Sequence, residues 1–266
     1  MNKLSQTGSL LPFLSLPGPM QMALDVVMLE TSLAATPPRP MLRFYNWPGA
    51  WLSLGRHQHQ WPAHWNVLVQ QKKLRLVRRP SGGGAVLHAG GLTYALVWPA
   101  APRQRREAYR QACQWLQQGF SDLGLPLTFG NQAASSAAND CFASATAADL
   151  VDGHGHKRIG SAQLWRQGKL LQHGEILLDP PQQLWEDIFQ TKPPKVAPAS
   201  IPRAELGDVL VAALGQCWPE LNWQQAQLTT NQWRAVQRQA QNYELLLPLD
   251  SAGSSTSPLA SIESTT

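Results

Sequence analysis

The sequence predicts a single globular domain that combines helices with strands. Its 266 residues are 43% hydrophobic and 15% charged, which is typical of a folded chain with one sizeable core. Segments with the apolar spacing of helices alternate with strand-like segments, and no segment is repeated. We expect the domain to cover residues 19–247, after a loose leader over 1–18 and before a disordered, Ser/Thr-rich tail over 248–266 that has too few apolar residues to pack.

Composition narrows the classes of function. Lysine and arginine outnumber acidic residues by 22 to 17, which favours acidic partners, but no basic run is interleaved with aromatics as nucleic-acid binding would need. The first residues make a poor signal peptide, and no apolar run is long enough to cross a membrane. The three cysteines, Cys113, Cys141 and Cys217, are too scattered for a disulfide framework, which predicts a reduced, cytoplasmic compartment.

The first half of the domain predicts a helix followed by strands. Residues 19–30 place their apolar side chains so that a helix buries one side, with a proline near its start. Two strand-like segments, 42–47 and 50–54, flank a Pro-Gly turn and predict a hairpin. Residues 67–79 predict a further strand, and 92–98 predict its antiparallel neighbour.

The second half predicts helices around one hairpin. Apolar residues at helical spacing predict a helix over 105–123, in which Cys113 is a small buried hydrophobe. Residues 130–148 are small and polar and predict a long loop that contains Cys141; such loops in compact domains are often functional. Residues 156–179 predict two strands around a Gln-Gly turn. Further helical spacing covers 181–189, 203–218 and 224–242.

Three consecutive glycines follow a pair of arginines and a serine in the first half of the chain. These residues are Arg78, Arg79, Ser81, Gly82, Gly83 and Gly84. Because adjacent glycines cost backbone entropy on folding, a protein keeps them where no side chain is tolerated, such as a tight turn under a ligand. Their N–H groups can form a concave anion or carbonyl site to which the arginines add charge. A hairpin turn with two solvated arginines explains the triplet equally well, and the spacing fits none of the named nucleotide loops.

A second motif lies in the predicted hairpin, as K-x-x-G-S-A-Q, an arginine, and L-Q-H-G-x-I-L-L-D. By itself it is explained by a surface hairpin with a solvated lysine. Together with the first motif, R-R-x-S-G-G-G-A-V-x-H-x-x-G-L-x-Y, it resembles the two signatures of the biotin/lipoate-protein ligase A/B family. The resemblance covers roughly residues 20–179. It implies an α+β fold with one catalytic domain, in which helices flank a central, largely antiparallel or mixed sheet.

The resemblance is closest to the cysteine-dependent octanoyltransferases of this family, the LipM type. Cys141, followed by Phe142, stands sixteen residues before Lys157, which is similar to the A-C-F segment of that branch. The resemblance implies that Cys141 is the nucleophile and that Lys157 lowers its pKa or contacts the acyl carbonyl. Either role needs a cation in a partly desolvated site, where charge matters more than in water.

The resemblance also implies a set of binding residues around an acyl tunnel. Five residues of the first motif would line the tunnel: Gly82, Gly83, Gly84, Ala85 and Leu87. Four more would lie near its mouth: Arg78, Ser81, His88 and His173. His88 is equally well explained as a structural histidine bonded to a carbonyl. The other histidines near the first motif have neither regular spacing nor acidic companions, so we expect no metal site.

The implied reaction is acyl transfer in protein lipoylation. An octanoyl or lipoyl group would leave acyl-carrier protein, form a thioester with the enzyme and pass to a lysine of a lipoyl domain, as in glycine-cleavage H protein or dehydrogenase E2. Because the donor thioester is already activated, no cofactor is expected. Two alternatives stay open. One is an ATP-dependent lipoate-protein ligase, which would use ATP and Mg to make a lipoyl-adenylate, and the other is a catalytically silent acyl- or carrier-binding protein.

Overall fold

The structure, a computed structural model, describes residues 6–131, 142, 146, 148–196 and 203–245. Within them the strands are β1 (Gln6–Leu10), β2 (Leu14–Ser15), β3 (Met41–Asn46), β4 (Trp51–Leu54), β5 (Arg75–Arg78), β6 (Val86–His88), β7 (Leu92–Trp98), β8 (Thr128–Phe129), β9 (Leu150–Val151), β10 (Lys157–Arg166), β11 (Lys169–Ile176) and β12 (Leu221–Gln225). The helices are α1 (Gly18–Ala34), α2 (Ala63–Gln70), α3 (Arg105–Asp122), α4 (Gln182–Phe189), α5 (Arg203–Cys217) and α6 (Thr230–Ala240), and a 3₁₀-helix, Gln241–Tyr243, follows α6.

The described strands form two sheets. The larger is a nine-stranded mixed sheet in the order β12-β1-β3-β7-β11-β10-β9-β8, with β2 paired to β3 beside it. From β3 to β8 each strand is antiparallel to its neighbour in this order, whereas β1 runs parallel to both β12 and β3. The smaller sheet has the order β5-β4-β6. The predicted α+β class, with a largely antiparallel or mixed central sheet, is confirmed.

The large sheet is covered by helices on both faces. Alternate residues of a strand point to opposite faces, so Leu92, Tyr94 and Leu96 of β7 pack with α3 and α5. Ala95 and Val97 of the same strand pack with α1 and α6. A third apolar cluster joins the small sheet to α2 and α4. A strand buried on both sides is a continuous apolar run, which is the pattern that residues 92–98 show.

Several predicted elements are confirmed with small changes of length. The helix predicted over 19–30 is α1, and the helix predicted over 105–123 is α3. The predicted hairpin is β10 and β11, whose two turn residues, Gln167 and Gly168, both have positive φ. Two-residue hairpin loops of this kind need positive φ at both positions. Helical spacing over 181–189 and 203–218 corresponds to α4 and α5.

The hairpin predicted over residues 42–54 is wrong. β3 lies in the large sheet between β1 and β7, whereas β4 lies in the small sheet between β5 and β6. The Pro-Gly turn therefore carries the chain from one sheet to the other. Trp47 and Trp51 on either side of the turn are both buried, with ring centroids 6.1 Å apart. Each strand forms its ladder of hydrogen bonds with partners in its own sheet, and the two indoles are buried at the junction.

Two further strand predictions are wrong in part. The residues up to Gln70 belong to α2, so the strand predicted over 67–79 is reduced to Arg75–Arg78. Trp65 and Leu68 lie three residues apart and are buried on one helical face, and a short apolar run cannot by itself separate a buried helix from a strand. β7 is also not the neighbour of β5, because it pairs with β3 and β11, whereas β5 pairs with β4.

The loose leader predicted over residues 1–18 is wrong for the part that the structure describes. Gln6–Leu10 pairs with all five residues of β12, and two of its residues pair with β3. The sequences of β1 and β12 are too polar for either to be predicted as a strand. In the structure the two strands supply hydrogen bonds to each other. The predicted tail over 248–266 lies outside the described residues. No helix within the described ranges is long and apolar enough to cross a membrane.

Candidate active site

A cavity is lined by residues of the large sheet, the small sheet and α1. Its floor follows a row of paired residues across four neighbouring strands, Tyr45, Thr93, Glu175 and Gly160. The next row of the same face is Arg43, Ala95, His173 and Ala162. Ser53, Val86 and His88 of the small sheet and Met22 of α1 add to the lining.

His173 on β11 joins a buried carboxylate to the glycine-rich segment. Its Nδ1 lies 2.7 Å from Asp25 Oδ2, and its Nε2 lies 2.5 Å from Ser81 Oγ. The carboxylate accepts from Nδ1–H, and Nε2 is hydrogen-bonded to the serine hydroxyl. All three side chains are buried. The three residues therefore form a fixed relay from α1 to the glycine-rich segment.

Asp25 holds the negative charge of this relay in a fully buried position. Arg43 donates from Nε and Nη2 to Asp25 Oδ1 at 2.9 and 2.6 Å, and the Tyr45 hydroxyl donates to Oδ2 at 3.1 Å. Burial by itself would raise the pKa of Asp25, but the attraction of Arg43 and the hydrogen bond from His173 outweigh it, and the pKa is lowered. The carboxylate therefore stays ionised and orients the imidazole of His173.

A second relay, also a carboxylate, a histidine and a serine joined by hydrogen bonds, starts at Glu175, two residues further along β11. His88 Nδ1 lies 2.7 Å from Glu175 Oε2, and His88 Nε2 lies 2.8 Å from Ser53 Oγ. The hydroxyl of Thr93 also donates to Glu175 Oε2, at 2.5 Å. The indole of Trp47 stacks on the imidazole of His88 with ring centroids 4.1 Å apart. Both ring nitrogens of His88 are thus engaged by a carboxylate and a serine, and the expected alternative of a bond to a carbonyl is wrong.

Arg79 clamps the glycine-rich segment beside the cavity. Its Nη2 donates to the carbonyl oxygens of Gly82 and Gly84 at 2.7 Å each, and its Nη1 donates to the carbonyl oxygen of Ser53 at 2.8 Å. The side chain is buried and lines the cavity. The interpretation of a turn with two solvated arginines is therefore wrong for Arg79, whose charge is directed at backbone carbonyls.

A positive φ explains one glycine of the triplet, Gly83, and close packing of two loops explains Gly55. Gly83 has a φ of +98°, which glycine adopts at little cost. Its carbonyl oxygen lies so close to Gly55 that a Cβ at that position would overlap with it. Arg78, predicted near the tunnel mouth, donates to the carbonyl oxygens of Gly55 and Gln58 at 3.0 and 2.9 Å. Arg78 therefore fixes the loop on which the glycine-rich segment rests.

Lys157 is a buried cation on β10, beside the cavity-lining Gly160 and not itself among the lining residues. Its Nζ lies 3.0 Å from Asp149 Oδ1 and 4.9 Å from the centroid of the Phe142 ring. A Cβ on Gly160, which lines the cavity, would lie 3.0 Å from Lys157 Cε. Asp149 is held in turn by Thr146, whose N–H and hydroxyl donate to Oδ2 at 2.8 and 2.9 Å. The interpretation of a solvated lysine on a surface hairpin is therefore wrong.

Two residues predicted to line the acyl tunnel lie elsewhere. Ala85 and Leu87 are buried in the apolar cluster that joins the small sheet to α2 and α4. Because alternate residues of β6 point to opposite sides, Val86 and His88 line the cavity instead. The structure thus brings Ser81, His88 and His173 together at the cavity, with the three glycines held at its edge by Arg79.

The structure describes two of the three cysteines, Cys113 and Cys217. Cys141, the predicted nucleophile, lies outside the described residues. Cys113 is buried in α3 and accepts a hydrogen bond from Gln172 Nε2 at 3.3 Å, and burial raises the pKa of its thiol to about 12. Cys217, at the end of α5, is half-buried, and burial raises its pKa as well. The interpretation of Cys113 as a small buried hydrophobe is confirmed.

We expect Cys113 to resist alkylation in the folded protein. The thiolate is the reactive form, and a pKa of about 12 leaves on the order of one thiol in 10⁴ ionised at pH 8. Iodoacetamide followed by peptide mass spectrometry should leave Cys113 unmodified in the native protein and label all three cysteines in urea. Native labelling of Cys113 as fast as that of Cys217 would contradict the expectation.

Sequence reasoning missed the carboxylates that orient the two histidines. Asp25 is the single charge in the apolar stretch M-A-L-D-V-V-M, and charged residues are almost never fully buried unless paired, so a buried ion pair could have been predicted there. Glu175 alternates with His173 on one face of the hairpin, which is a visible signal. No local sequence pattern predicts the contact between Ser53 and His88, because 35 positions separate them.

Comparison with models of known protein families assigns the chain to one of them. A family model described as the lipoyl protein ligase A/B catalytic domain matches residues 17–224. The chain belongs to this family. The resemblance drawn from the two motifs is therefore confirmed, and the matched range includes both relays and Lys157.

Curated relatives in this family share one name. Octanoyltransferase LipM of Lysinibacillus sphaericus is 36% identical to the chain over 180 residues, which cover 63% of this chain and 64% of the relative. Octanoyltransferase LipM of Geobacillus kaustophilus is 36% identical over 186 residues, which cover 65% of this chain and 66% of the relative. The matched part is thus less than two thirds of the length of either relative.

The fold of this lipoyl protein ligase A/B family member is shared with solved structures. A candidate lipoate protein ligase of T. acidophilum, solved with bound lipoic acid, superposes with a TM-score of 0.73. The superposition covers 89% of this chain and 95% of that protein at 19% sequence identity. Likeness at this identity establishes the fold, and the lipoate ligase fold implied by the motifs is confirmed.

Proposed function

We propose that the protein transfers an octanoyl group from an acyl-carrier protein to a lysine of a lipoyl domain, through a thioester on its own Cys141. The observation that carries the proposal is Lys157, a buried cation that is paired with Asp149 and packs beside Gly160, which lines the cavity. Such a cation can stabilise negative charge on a reacting carbonyl or thiolate far better than a solvated lysine.

Family membership supports this class of reaction. The matching family model spans most of the chain, and relatives 36% identical to it are named octanoyltransferases. An octanoyl thioester has an apolar chain and one reactive carbonyl. The cavity offers apolar side chains from Met22, Val86 and Ala162, and the stem of Lys157 lies beside Gly160 at its β10 side. These features suit an acyl chain whose carbonyl lies beside Lys157.

The position of Cys141 in the sequence supports it as the nucleophile. Cys141 directly precedes Phe142, and the centroid of the Phe142 ring lies 4.9 Å from Lys157 Nζ. An unperturbed thiol has a pKa of about 8.5. A neighbouring cation favours the thiolate, which is the nucleophilic form.

The proposed reaction has two balanced steps. The Cys141 sulfur bonds to the carbonyl carbon of the donor, the bond from that carbon to the carrier sulfur breaks, and the carrier leaves as a thiol with the proton that Cys141 gave up. The neutral amine of the acceptor lysine then attacks the new thioester, an amide forms, and an amine proton returns to the Cys141 sulfur. Because the donor is a thioester, neither step consumes ATP.

The proposal includes two kinds of partner. The donor is an acyl-carrier protein that carries an octanoyl or lipoyl group. The acceptor is a lipoyl domain such as that of glycine-cleavage H protein or dehydrogenase E2. A net charge of +5 favours acidic partners in both steps, through steering that weakens as salt increases.

We expect a covalent octanoyl adduct on Cys141. The wild-type protein and Cys141→Ala are mixed with octanoyl-acyl-carrier protein in the absence of ATP and measured by intact-mass spectrometry. The wild-type protein should gain one octanoyl group that hydroxylamine removes, because thioesters are labile to this nucleophile. The Cys141→Ala variant should gain none, and it should not modify a lipoyl domain.

Cys217→Ala is the control for this experiment, since it removes a half-buried thiol outside the cavity and should form the adduct at the wild-type rate. An adduct that persists in Cys141→Ala would contradict the proposed nucleophile. If no adduct forms and ATP with free lipoate supports modification of a lipoyl domain by both proteins, the protein is a ligase. If neither route modifies the domain and the domain still binds, the protein is a carrier-binding protein without activity.

A further inference from the structure

We infer that Met22 limits the length of the acyl chain that the cavity accepts. The inference rests on the proposed acyl transfer and concerns the end of the cavity that is remote from the reacting carbonyl. Met22 is buried in α1 and lines the cavity. It is a specificity-determining residue, and the proposal gives it no part in the chemical steps.

The paired rows of the large sheet define the two ends of the cavity. Gly160 on β10 marks one end, because the aliphatic stem of Lys157 lies against it. Tyr45 on β3 marks the other end, since it occupies the same row three strands away. Neighbouring strands are about 4.8 Å apart, so the two ends are separated by about 14 Å. An acyl carbonyl held at Lys157 therefore directs its chain across the sheet toward β3.

Helix α1 closes the β3 end, and hydrogen bonds fix it there. Gln21 donates from Nε2 to the carbonyl oxygen of Asn46 at 2.9 Å, and its Oε1 accepts from Arg43 Nη1 at 2.6 Å. Asp25, one turn later, is bonded to the same arginine. Met22 lies between these two anchors and, three residues before Asp25, on the same side of the helix. The anchors tie this part of α1 to β3, which lies three strands away from β10, the strand that carries Lys157.

Met22 differs from the other groups at this end because it has no polar contact to keep. The Tyr45 ring is fixed by its bond to Asp25 and by Arg43, whose guanidinium carbon lies 3.7 Å from the ring centroid. Methionine is unbranched and adapts to the space available. Shortening Met22 therefore leaves room that its fixed neighbours cannot fill, and enlarging it takes room from the chain terminus.

The test measures the rate of adduct formation with hexanoyl-, octanoyl-, decanoyl- and dodecanoyl-acyl-carrier protein. In Met22→Ala the ratio of the decanoyl to the octanoyl rate should rise at least about ten-fold over that of the wild-type protein, the lower range of discrimination for a chain that differs by methylene groups. In Met22→Phe the ratio of the hexanoyl to the octanoyl rate should rise. Met22→Leu, which conserves volume, should keep the wild-type profile.

Met28→Ala is the matched control. Met28 is a fully buried methionine of the same helix and the same apolar cluster, and the residues that line the cavity do not include it. Met28→Ala should lower the stability of the fold and leave the ratios of the decanoyl and hexanoyl rates to the octanoyl rate unchanged. The inference is overturned if Met22→Ala or Met22→Phe forms adducts with the wild-type profile, or if Met28→Ala shifts the profile equally.

Failure of the proposed function is distinguishable from failure of this inference. If the wild-type protein forms no adduct with any donor, the transfer mechanism is wrong, whatever the role of Met22. Calorimetric titration with free hexanoic, octanoic, decanoic and dodecanoic acids then decides the inference. Tighter binding of the two longer acids by Met22→Ala, relative to octanoic acid, supports it, and an unchanged order of affinities overturns it.

Discussion

Replacing Lys157 by methionine is expected to slow the first acyl-transfer step by about 10²–10³-fold, the usual effect of removing one group that stabilises charge in a transition state. Methionine keeps the length and the apolar stem of lysine and removes only the charge. The charge matters because Lys157 is buried, with Nζ 3.0 Å from Asp149. The measurement is the single-turnover rate of the octanoyl adduct by intact mass, at saturating donor.

In this variant, an effect on the stability of the fold must be separated from an effect on the rate of acyl transfer. Removing Lys157 leaves Asp149 buried without its cation, which costs about 3–5 kcal/mol for typical buried pairs. The double variant Lys157→Met/Asp149→Asn neutralises both groups and should recover much of this stability without recovering the rate. Lys169→Met, at the turn of the same hairpin, should behave as the wild-type protein. A Lys157→Met rate within a few-fold of the wild-type rate would show that this lysine does not act in the reaction.

A large loss of stability is expected from Arg43→Met, which should lower the free energy of unfolding by about 3–5 kcal/mol. Arg43 and Asp25 are both fully buried, and their shortest contact is 2.6 Å. Without the arginine, the carboxylate of Asp25 keeps the cost of burial and loses its cation. Gln21 also loses hydrogen bonds to Nη1 and Nη2 at 2.6 and 2.7 Å. Urea unfolding at pH 7 gives the free energy of both proteins.

The difference between Arg43→Met and the wild-type protein should shrink as pH falls. A lowered pKa for Asp25 adds stability above the pKa of the unfolded carboxyl, about 3.9, and this stability is lost as pH falls through the folded pKa. In the variant, burial is no longer opposed by Arg43, so protonation of Asp25 relieves part of the loss. The control is Arg166→Met, which removes an exposed ion pair to Glu30 of α1 and should cost less than about 1 kcal/mol. Equal losses in the two variants would refute the role given to the buried pair.

Local signals in the sequence predicted the elements that depend on local interactions. Helices α1 and α3 have apolar residues at helical spacing over four or more turns, and the β10–β11 hairpin has a two-residue turn between alternating segments. Partners distant in sequence could not be predicted in this way. β3 and β4 were expected to pair, yet each finds its partners elsewhere, because the choice between neighbouring strands depends on how the two sheets pack.

By itself the sequence determined the family, through two motifs in a fixed order, and with it the α+β class, which the matching family model and the shared fold confirm. It also singled out Ser81, His88, His173 and Lys157. Only the tertiary structure decided what these residues touch. His173 meets Asp25 across 148 positions of the chain and Ser81 across 92, and Met22 faces a cavity whose opposite end lies three strands away. Such contacts arise because packing the sheets and α1 buries charges that must find partners, and no local pattern of residues specifies which partner each charge will find.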